Sequence, residues 1–266
     1  MAELSGRVID IVSVLPDPVE ILLNSSMLRK AQMNGVVELK ATDLRDYSDD
    51  KYRSVDDTPF GGRQGMLFTA PVLERAMLSQ LDAVGGDRSR LKILSTSPRG
   101  VRLEQPVLQA LADWIGEDAG RRLCIVCGRY EGVDERFNER WVDLELSLGD
   151  FVLTGGELPA LVLVDGLVRL LPGVLGDERS AREDSFSNGL LEYPQFTKPR
   201  DFEGRGVPSE LVSGNHRQSD EWKLRQSLLL TAAFRPDLIR AHSGSGLPAW
   251  ARELLERLRD RLDLRT

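Results

Sequence analysis

Five short apolar runs alternate with segments of helical periodicity through the first two thirds of the chain. The apolar runs lie at residues 8–15, 36–41, 91–96, 123–127 and 142–148. Between them, Asp17 and Pro18 predict an N-cap and a first helical turn, Thr69 precedes a second helix, and Pro106 opens a third that Gly116 is placed to end. Parallel strands need long crossovers, so this alternation predicts an α/β domain with a mainly parallel sheet.

The charge of the chain is unevenly distributed. The 266 residues include 35 Lys and Arg against 42 Asp and Glu, a net charge of -7 that by itself disfavours a polyanionic partner. Residues 197–266 nevertheless hold 13 basic and 10 acidic side chains, whereas residues 1–196 hold 22 and 32. We therefore predict two domains with different partners, the second one able to contact phosphates.

The only two cysteines, Cys124 and Cys127, lie in an apolar run that predicts a buried strand. Strand residues three apart face opposite sides of a sheet, so two buried thiols are expected rather than a disulfide or a redox pair. The sequence has neither an apolar run long enough to span a membrane nor a signal-like first segment, so we expect a cytoplasmic protein without a membrane partner.

Residues 157–171 predict a helix that is apolar on every side, interrupted only by Asp165 and Arg169. Such a helix is buried all round, in a core or in a subunit interface, and a homodimer is the economical explanation. The polar, Gly- and Pro-containing segment 172–205 has no clear periodicity, which is typical of functional or mobile loops, and we expect residues 177–192 to be mobile in the free protein. Helical patterns return at residues 220–234 and 248–264.

Three glycine-containing segments are candidates for chemistry. Residues 59–66 match neither a dinucleotide-binding nor an NTP-binding loop, and no predicted strand leads directly into them. Residues 128–132 and 148–157 each follow a predicted strand, at the carboxyl end where parallel sheets bind ligands. From the residues alone, these two segments either admit a flat ligand against the backbone or are ordinary tight turns.

Five motifs, in order, resemble the bacterial tRNA (guanine-N1)-methyltransferase family, TrmD, of the SPOUT superfamily. They are residues 127–136 (CGRYEGVDER), 149–160 (GDFVLTGGELPA), 172–176 (PGVLG), 183–186 (EDSF) and 211–216 (LVSGNH). The resemblance extends from about residue 8 to residue 240, and five motifs at compatible spacing are far more specific than any single glycine loop.

The resemblance implies a fold, a domain order and an activity. The fold is an α/β sheet with a trefoil knot, a rare exception to the rule against knots, followed by a small, mostly α-helical C-terminal domain. The expected domains are a knotted cofactor-binding and dimerisation domain, a mobile linker carrying the catalytic Asp, and a tRNA-binding helical domain, at residues 1–176, 177–196 and 197–266. The implied enzyme is a homodimer that transfers a methyl group from S-adenosylmethionine to N1 of guanosine 37 in tRNA.

The resemblance also implies the site residues. Asp184 is the general base and Arg169 its cationic helper, at the dimer interface, so that Asp184 acts on cofactor held by the other subunit. The cofactor-binding residues are Ser97, Pro98, Gly128, Glu131, Leu148, Gly149, Asp150, Phe151, Val152, Leu153, Gly155, Gly156 and Pro159. The substrate-binding residues are Asp57, Gly61, Gly62, Ser185, Ser213, Gly214, Asn215 and His216. No metal-ligand pattern is present, although a loosely held Mg²⁺ would leave no signature in the sequence.

These roles suit the residue types. Guanine N1 must lose a proton before it can attack, and the chain has only two histidines, His216 and His242, both far from the glycine loops. A carboxylate would therefore serve as the base, and a guanidinium would stabilise the charge that develops on O6. Alternatives stay open: Asp165 neutralises Arg169, Asp184 caps a turn, Glu183 is the base, or His216 makes only a loop or tRNA contact.

The sequence departs from the family pattern in three places. Residues 58–65 are TPFGGRQG where RPYGGGPG is usual, which changes Thr58, Arg63 and Gln64; Phe151 replaces a tyrosine; and residues 193–196 are YPQF where CPHY is usual, with Gln195 in place of histidine. These differences concern substrate contacts and not the reaction. Two other functions remain as alternatives, a non-catalytic RNA-binding dimer of this fold and a methyltransferase that acts on another RNA.

Overall fold

The computed structural model describes residues 6–62, 64–175 and 184–263. By its internal contacts the chain divides into two units, Met1–Gly176 and Asp177–Thr266. Arg63 and residues 177–183, among them Glu183, lie outside the described residues, so the predictions made for them are not addressed by the structure.

A five-stranded parallel sheet forms the centre of the first unit. In chain order, the strands of this unit are β1 (Val8–Ser13), β2 (Glu38–Asp43), β3 (Asp56–Asp57), β4 (Leu67–Phe68), β5 (Leu91–Arg102), β6 (Arg122–Cys127) and β7 (Leu144–Ser147). The sheet has the order β2-β1-β6-β5-β7 and every pairing within it is parallel, whereas β3 and β4 form a separate antiparallel ladder. The predicted α/β class is therefore confirmed, and the knot stays a prediction.

Helices cover both faces of this sheet. They are α1 (Pro16–Leu23), α2 (Ser26–Met33), α3 (Ala70–Asp82), α4 (Gln105–Glu117), α5 (Glu135–Trp141) and α6 (Glu157–Val168). Apolar side chains of α1, α2, α4 and α6 build one core against the sheet, and those of α3 and α5 build a second core on the opposite face. Strands buried on both faces are continuous apolar runs, which is why the sequence pattern identified them.

Strand β6 shows this two-sided burial most clearly. Cys127 belongs to the first core and Cys124 to the second, and both thiols are free and fully buried. The prediction of two buried thiols on opposite faces of a strand is confirmed.

Several predicted element boundaries are wrong. Helix α1 begins at Pro16, so Asp17 lies in the first turn instead of capping the helix, because a proline is tolerated anywhere in a first turn whose N–H groups lack partners. Gly116 lies inside the last turn of α4. The short strand β3 does lead into residues 59–66, and at two residues it is too short to show any hydrophobic period.

Helix α6 is not buried on all sides within the single chain. The side chains of Leu158 and Val162, one turn apart, are 59% and 50% exposed, and Arg169 is the C-cap residue that follows the last helical residue. The alternative, that this face lies in a subunit interface, stays a prediction.

The second unit is mostly helical, as predicted. It contains β8 (Asp201–Phe202), β9 (Arg205–Gly206), α7 (Ser209–Val212), α8 (His216–Phe234), α9 (Pro236–Ala241) and α10 (Ala249–Asp263). Its core is built from Leu190, Leu228, Ile239, Ala251, Leu255 and Leu258. Helix α8 starts four residues before the predicted Asp220, because the Asn215 side chain caps it by accepting a hydrogen bond from the Gln218 amide (3.3 Å). Within the described residues, no helix is both long and apolar enough to cross a membrane.

Candidate active site

A cleft of about 460 Å³ opens at the carboxyl ends of β5, β6 and β7. Its walls are the end of β5 and the loops that follow β6 and β7, the second of which leads into α6. Both glycine segments that follow predicted strands, residues 128–132 and 148–157, contribute to this one cleft. Their convergence favours a ligand site over independent tight turns, at the edge where open parallel sheets bind ligands.

Backbone hydrogen bonds hold the two loops against each other. The Gly156 amide donates to the Gly128 carbonyl (2.8 Å), and Arg129 forms an antiparallel bridge with Gly155. A Cβ at Gly156 would lie 2.0 Å from Oγ1 of Thr96 and 2.9 Å from Cα of Cys127, so only glycine allows this approach. The floor of the cleft is therefore fixed by main-chain contacts.

A buried carboxylate ties three elements together behind the cleft. Oε1 of Glu157, at the start of α6, accepts a hydrogen bond from the Ser13 hydroxyl at the end of β1 (2.7 Å). Oε2 pairs with the guanidinium of Arg129 in the loop after β6 (3.2 Å). Both residues of this pair lie inside family motifs, at residues 127–136 and 149–160, but neither is among the predicted site residues.

The cleft combines unsatisfied polar atoms with exposed apolar side chains. Thr96 and Asn138 are among its lining residues, and Oγ1 of Thr96 and Oδ1 of Asn138 are each buried without a hydrogen-bond partner in the part of the chain that the structure describes. Because buried polar atoms normally have partners, these two suit a ligand that carries polar groups. Tyr130, Phe151 and Val152 expose most of their side chains at the same cleft, as a flat apolar group would require.

A charged cluster forms one side of the cleft. Nε of Arg99 donates to both carboxylate oxygens of Glu145 (2.9 and 3.0 Å), while NH2 donates to Glu145 Oε1 (2.7 Å) and to both oxygens of Glu135 (2.8 and 2.7 Å). The hydrogen bonds to Glu145 and Glu135 raise the pKa of the guanidinium, and those from Arg99 lower the pKa of each carboxyl. No sequence pattern indicates this cluster, because Arg99 lies 36 residues from Glu135 and 46 from Glu145 and the three follow no motif spacing.

The structure brings together all but one of the predicted cofactor-binding residues. Those lining the cleft are Ser97, Pro98, Gly128, Glu131, Leu148, Gly149, Phe151, Val152, Leu153, Gly155, Gly156 and Pro159. Asp150 does not line it: its side chain is 95% exposed and pairs with NH2 of Arg102 (3.4 Å).

The two predicted catalytic residues belong to different units. Arg169 is half-buried at the end of α6, where its backbone amide donates to the Asp165 carbonyl (3.3 Å). Asp184 is half-buried in the second unit, and its carbonyl accepts a hydrogen bond from the Ser187 amide (3.2 Å). Asp184 therefore opens a turn through its backbone, and both its role as the base and its role as a cap stay predictions.

The turn that begins at Asp184 is attached to the helices of its own unit. Ser185 Oγ accepts from the Glu192 amide (2.9 Å), and the Leu191 amide donates to Oγ1 of Thr231 on α8 (2.8 Å). Leu190 is buried in the core of this unit. The described part of the segment, from residue 184 onward, is thus held by specific contacts.

The predicted substrate-binding residues lie on the surfaces of both units. In the first unit, Asp57, Gly61 and Gly62 are exposed, and the Asp57 side chain accepts from the Thr58 amide (2.7 Å). In the second unit, Ser213, Gly214, Asn215 and His216 are exposed around the start of α8. Their polar side chains partly serve the local turn, since Ser213 Oγ donates to the Glu210 carbonyl (3.1 Å) and accepts from the Asn215 amide (3.2 Å).

No group of three or more His, Cys, Asp or Glu side chains within residues 6–62, 64–175 and 184–263 is arranged to hold a metal ion.

The parallel sheet and the cleft at its carboxyl edge define an α/β protein with a ligand site built from three strand-end loops. A sequence profile described as tRNA (Guanine-1)-methyltransferase TrmD matches residues 7–241. The chain belongs to this family, which confirms both the resemblance and the predicted enzyme class, a tRNA (guanine-N1)-methyltransferase.

Similar proteins carry the same name. The chain is 43% identical to the tRNA (guanine-N(1)-)-methyltransferase of Desulforudis audaxviator, over 96% of this chain and 97% of that protein. It is 47% identical to the enzyme of the same name from Geotalea uraniireducens, over 94% of this chain and 96% of that protein. It is 43% identical to the enzyme of the same name from Halorhodospira halophila, over 97% of this chain and 91% of that protein.

Proposed function

We propose that this protein methylates N1 of guanosine 37 in tRNA and takes the methyl group from S-adenosylmethionine. The observation that carries the proposal is the cleft, which two of the five motifs line together with several exposed apolar side chains, Thr96 and Asn138. The names of the relatives support the base and the atom that is methylated, and the family supports the use of this donor.

The residues of the cleft suit the proposed donor. The adenine and the sulfonium-bearing chain would lie against the loops at residues 128–132 and 148–156, whose backbone offers amides and carbonyls close to apolar side chains. Thr96 and Asn138 supply polar atoms that still lack partners among the described residues. When bound, S-adenosylmethionine supplies a methyl group that its sulfonium already activates.

The remaining chemistry falls to a base and a cation. Asp184 removes the proton from guanine N1, a role that contributes typically about 10²- to 10⁴-fold to a rate. Arg169 stabilises the negative charge that then develops on O6. Neither task requires a histidine, in keeping with a chain that has only two.

We also propose a division of labour along the chain. Residues 1–176 bind the cofactor and a second subunit, residues 177–196 connect the two parts and carry Asp184, and residues 197–266 bind tRNA. Exposed apolar side chains on helices that pack against one another, Ile21 on α1, Met33 on α2, and Leu158 and Val162 on α6, support a homodimer. In this assembly Asp184 of one subunit acts at the cofactor cleft of the other.

The test is methyl transfer to tRNA transcripts that carry guanosine or adenosine at position 37, followed by identification of the modified nucleoside. We expect the protein to form N1-methylguanosine only in the first transcript. Asp184→Asn should lower kcat by about 10²-fold or more, because an amide cannot accept the N1 proton. Asp220→Asn, which changes an exposed carboxylate of the same unit, should retain the native rate.

Each alternative gives a different result in this assay. A near-native rate for Asp184→Asn would show that the base is another residue. Methylation of a different nucleoside or RNA would replace the proposed target. Binding of tRNA without binding of S-adenosylmethionine in calorimetry would favour the non-catalytic RNA-binding dimer.

A further inference from the structure

We infer that Arg99 is a positioning residue of the cofactor cleft: held by Glu135 and Glu145, its guanidinium fixes an insertion in β5 that carries Ser97 and Pro98. The inference rests on the proposed function, because it assigns the purpose of this contact to binding of the methyl donor. No family motif quoted above includes Arg99.

The insertion is visible in the pairing of β5 with β7. Thr96 and Val101 both pair with Leu146, so the register shifts between them and residues 97–100 form an insertion between the two pairings. Extra residues of this kind interrupt the ladder and re-aim the side chains of the strand. Ser97, Pro98 and Arg99 all line the cleft, so the insertion forms part of its wall.

The insertion contacts β7 through its backbone and both β7 and α5 through Arg99. At Gly100 the backbone packs directly on β7, where an added Cβ would lie 2.5 Å from the carbonyl carbon of Glu145 and the amide nitrogen of Leu146. Next to it, Arg99 reaches Glu145 on β7 and Glu135 in the first turn of α5, and its backbone amide donates to Oγ of Ser97 (3.4 Å). One guanidinium therefore connects the insertion to two neighbouring elements.

The geometry of these contacts requires an arginine. Two of its nitrogens make hydrogen bonds to two carboxylates at once, at 2.7 to 3.0 Å, which is the fork geometry that a lysine ammonium cannot reproduce. Without the guanidinium, Glu135 and Glu145 would be two like charges facing one space in the cleft wall. Their repulsion would act on the strand segment that holds Ser97 and Pro98.

The expected effect is moderate, because the Arg99 side chain is 55% exposed and solvent screens its ion pairs. Arg99→Gln should raise the KM for S-adenosylmethionine and the Kd for S-adenosylhomocysteine by about 5- to 10-fold. The KM for tRNA and the kcat at saturating donor should stay within about twofold, since no proton transfer or RNA contact is assigned to Arg99. For Arg99→Lys, the KM for S-adenosylmethionine and the Kd for S-adenosylhomocysteine should lie between those of the native protein and Arg99→Gln, because a lysine keeps the positive charge and cannot bond both carboxylates in the same way.

A matched control comes from α5. Arg140 is an exposed arginine that pairs with Glu74 (2.8 Å), and neither residue lines the cleft. Arg140→Gln should therefore leave the donor KM and the Kd unchanged. Glu135→Gln, which keeps Arg99 and removes one of its two charged partners, should raise the donor KM by a smaller factor than Arg99→Gln.

Other results would overturn the inference. These are an unchanged donor KM in Arg99→Gln, an equal rise in Arg140→Gln, or a loss confined to kcat or to the KM for tRNA. A lower Tm in Arg99→Gln with an unchanged Kd for S-adenosylhomocysteine would also overturn it, because the contact would then serve stability alone.

Measuring the Kd for S-adenosylhomocysteine by calorimetry distinguishes a failure of this inference from a failure of the proposed function. Native protein that binds S-adenosylhomocysteine and methylates no tRNA would contradict the proposed reaction, while the Kd of Arg99→Gln still decides the positioning role. Native protein that does not bind S-adenosylhomocysteine would contradict both.

Discussion

Cys124 and Cys127 lie three residues apart on β6 and reach two different cores. Burial raises the pKa of both thiols well above the ordinary value. Nearby carboxylates raise it further, Asp10 for Cys124 and Glu157 for Cys127. The reactive form of a cysteine is the thiolate, so neither side chain is available for redox chemistry in the folded protein.

This burial predicts that native protein does not react with a thiol-specific disulfide reagent at pH 8. Both thiols should react once guanidinium chloride unfolds the chain, giving the two equivalents that the sequence contains. Cys124→Ala should reduce the count in denaturant to one equivalent. Rapid reaction of native protein would show that β6 is accessible, contrary to the structure.

At the scale of single residues, the sequence predicts what depends on local periodicity and misses what depends on distant chain segments. The opposite faces of Cys124 and Cys127 follow from the two-residue period of a strand. The contacts among Ser13, Arg129 and Glu157 do not, because they form only where β1, α6 and the loop after β6 meet. No spacing in the sequence encodes such a meeting.

Helix α6 exposes an apolar surface in the single chain. Its apolar residues surround the helix, yet Leu158 and Val162 are exposed in the single chain, while Leu163 and Leu167 are buried against the sheet. An exposed apolar face of this kind marks an interaction site. The proposed second subunit would cover it.

The predicted interface can be tested with Val162→Asp. A buried, unpaired carboxylate costs several kcal/mol, so this variant should sediment as a monomer at concentrations where the native chain is a dimer. Leu78→Asp, at an exposed apolar position on α3, should remain a dimer. A dimeric Val162→Asp variant, or a native chain that sediments as a monomer at micromolar concentration, would contradict this role of α6.

Two physical causes account for the elements that the sequence pattern missed or misplaced. Strands β3, β8 and β9 have two residues each, too few to show any hydrophobic alternation. The start of α1 was assigned to Asp17 because two prolines, Pro16 and Pro18, suit a first turn equally well. The longer strands and helices, in contrast, each bury enough apolar side chains for the period to be visible.

For the whole molecule, net charge proved a weak guide to the partner. The value of -7 disfavours nucleic acid, yet the chain belongs to a family of tRNA methyltransferases. The acidic excess lies before residue 197, and the local balance after it is basic. Even after residue 197, a basic residue is not by itself an RNA contact. Arg259, for example, donates to the Ile239 carbonyl (3.1 Å) within its own unit.

The cleft was predictable in its residues and not in its shape. The resemblance supplied twelve residues that the structure brings together, because motifs of a family mark the loops that build its site. The insertion at residues 97–100 of β5 and its anchoring by Arg99 could not be foreseen, since a register shift depends on which residue of β7 lies opposite.

Strand β6 lies at the centre of the sheet and should be the last strand of the first unit to unfold. The strand is paired on both edges, with β1 and β5, and covered on both faces by a core, so no local fluctuation frees its amides. Its deuterium uptake should be the slowest of the first unit and should report the free energy of global unfolding. The amides of residues 148–154 should exchange much sooner, and equal rates in mass spectrometry would contradict this. Ligands that enter at the carboxyl edge of the sheet therefore meet loops that open while the strand beneath them stays closed.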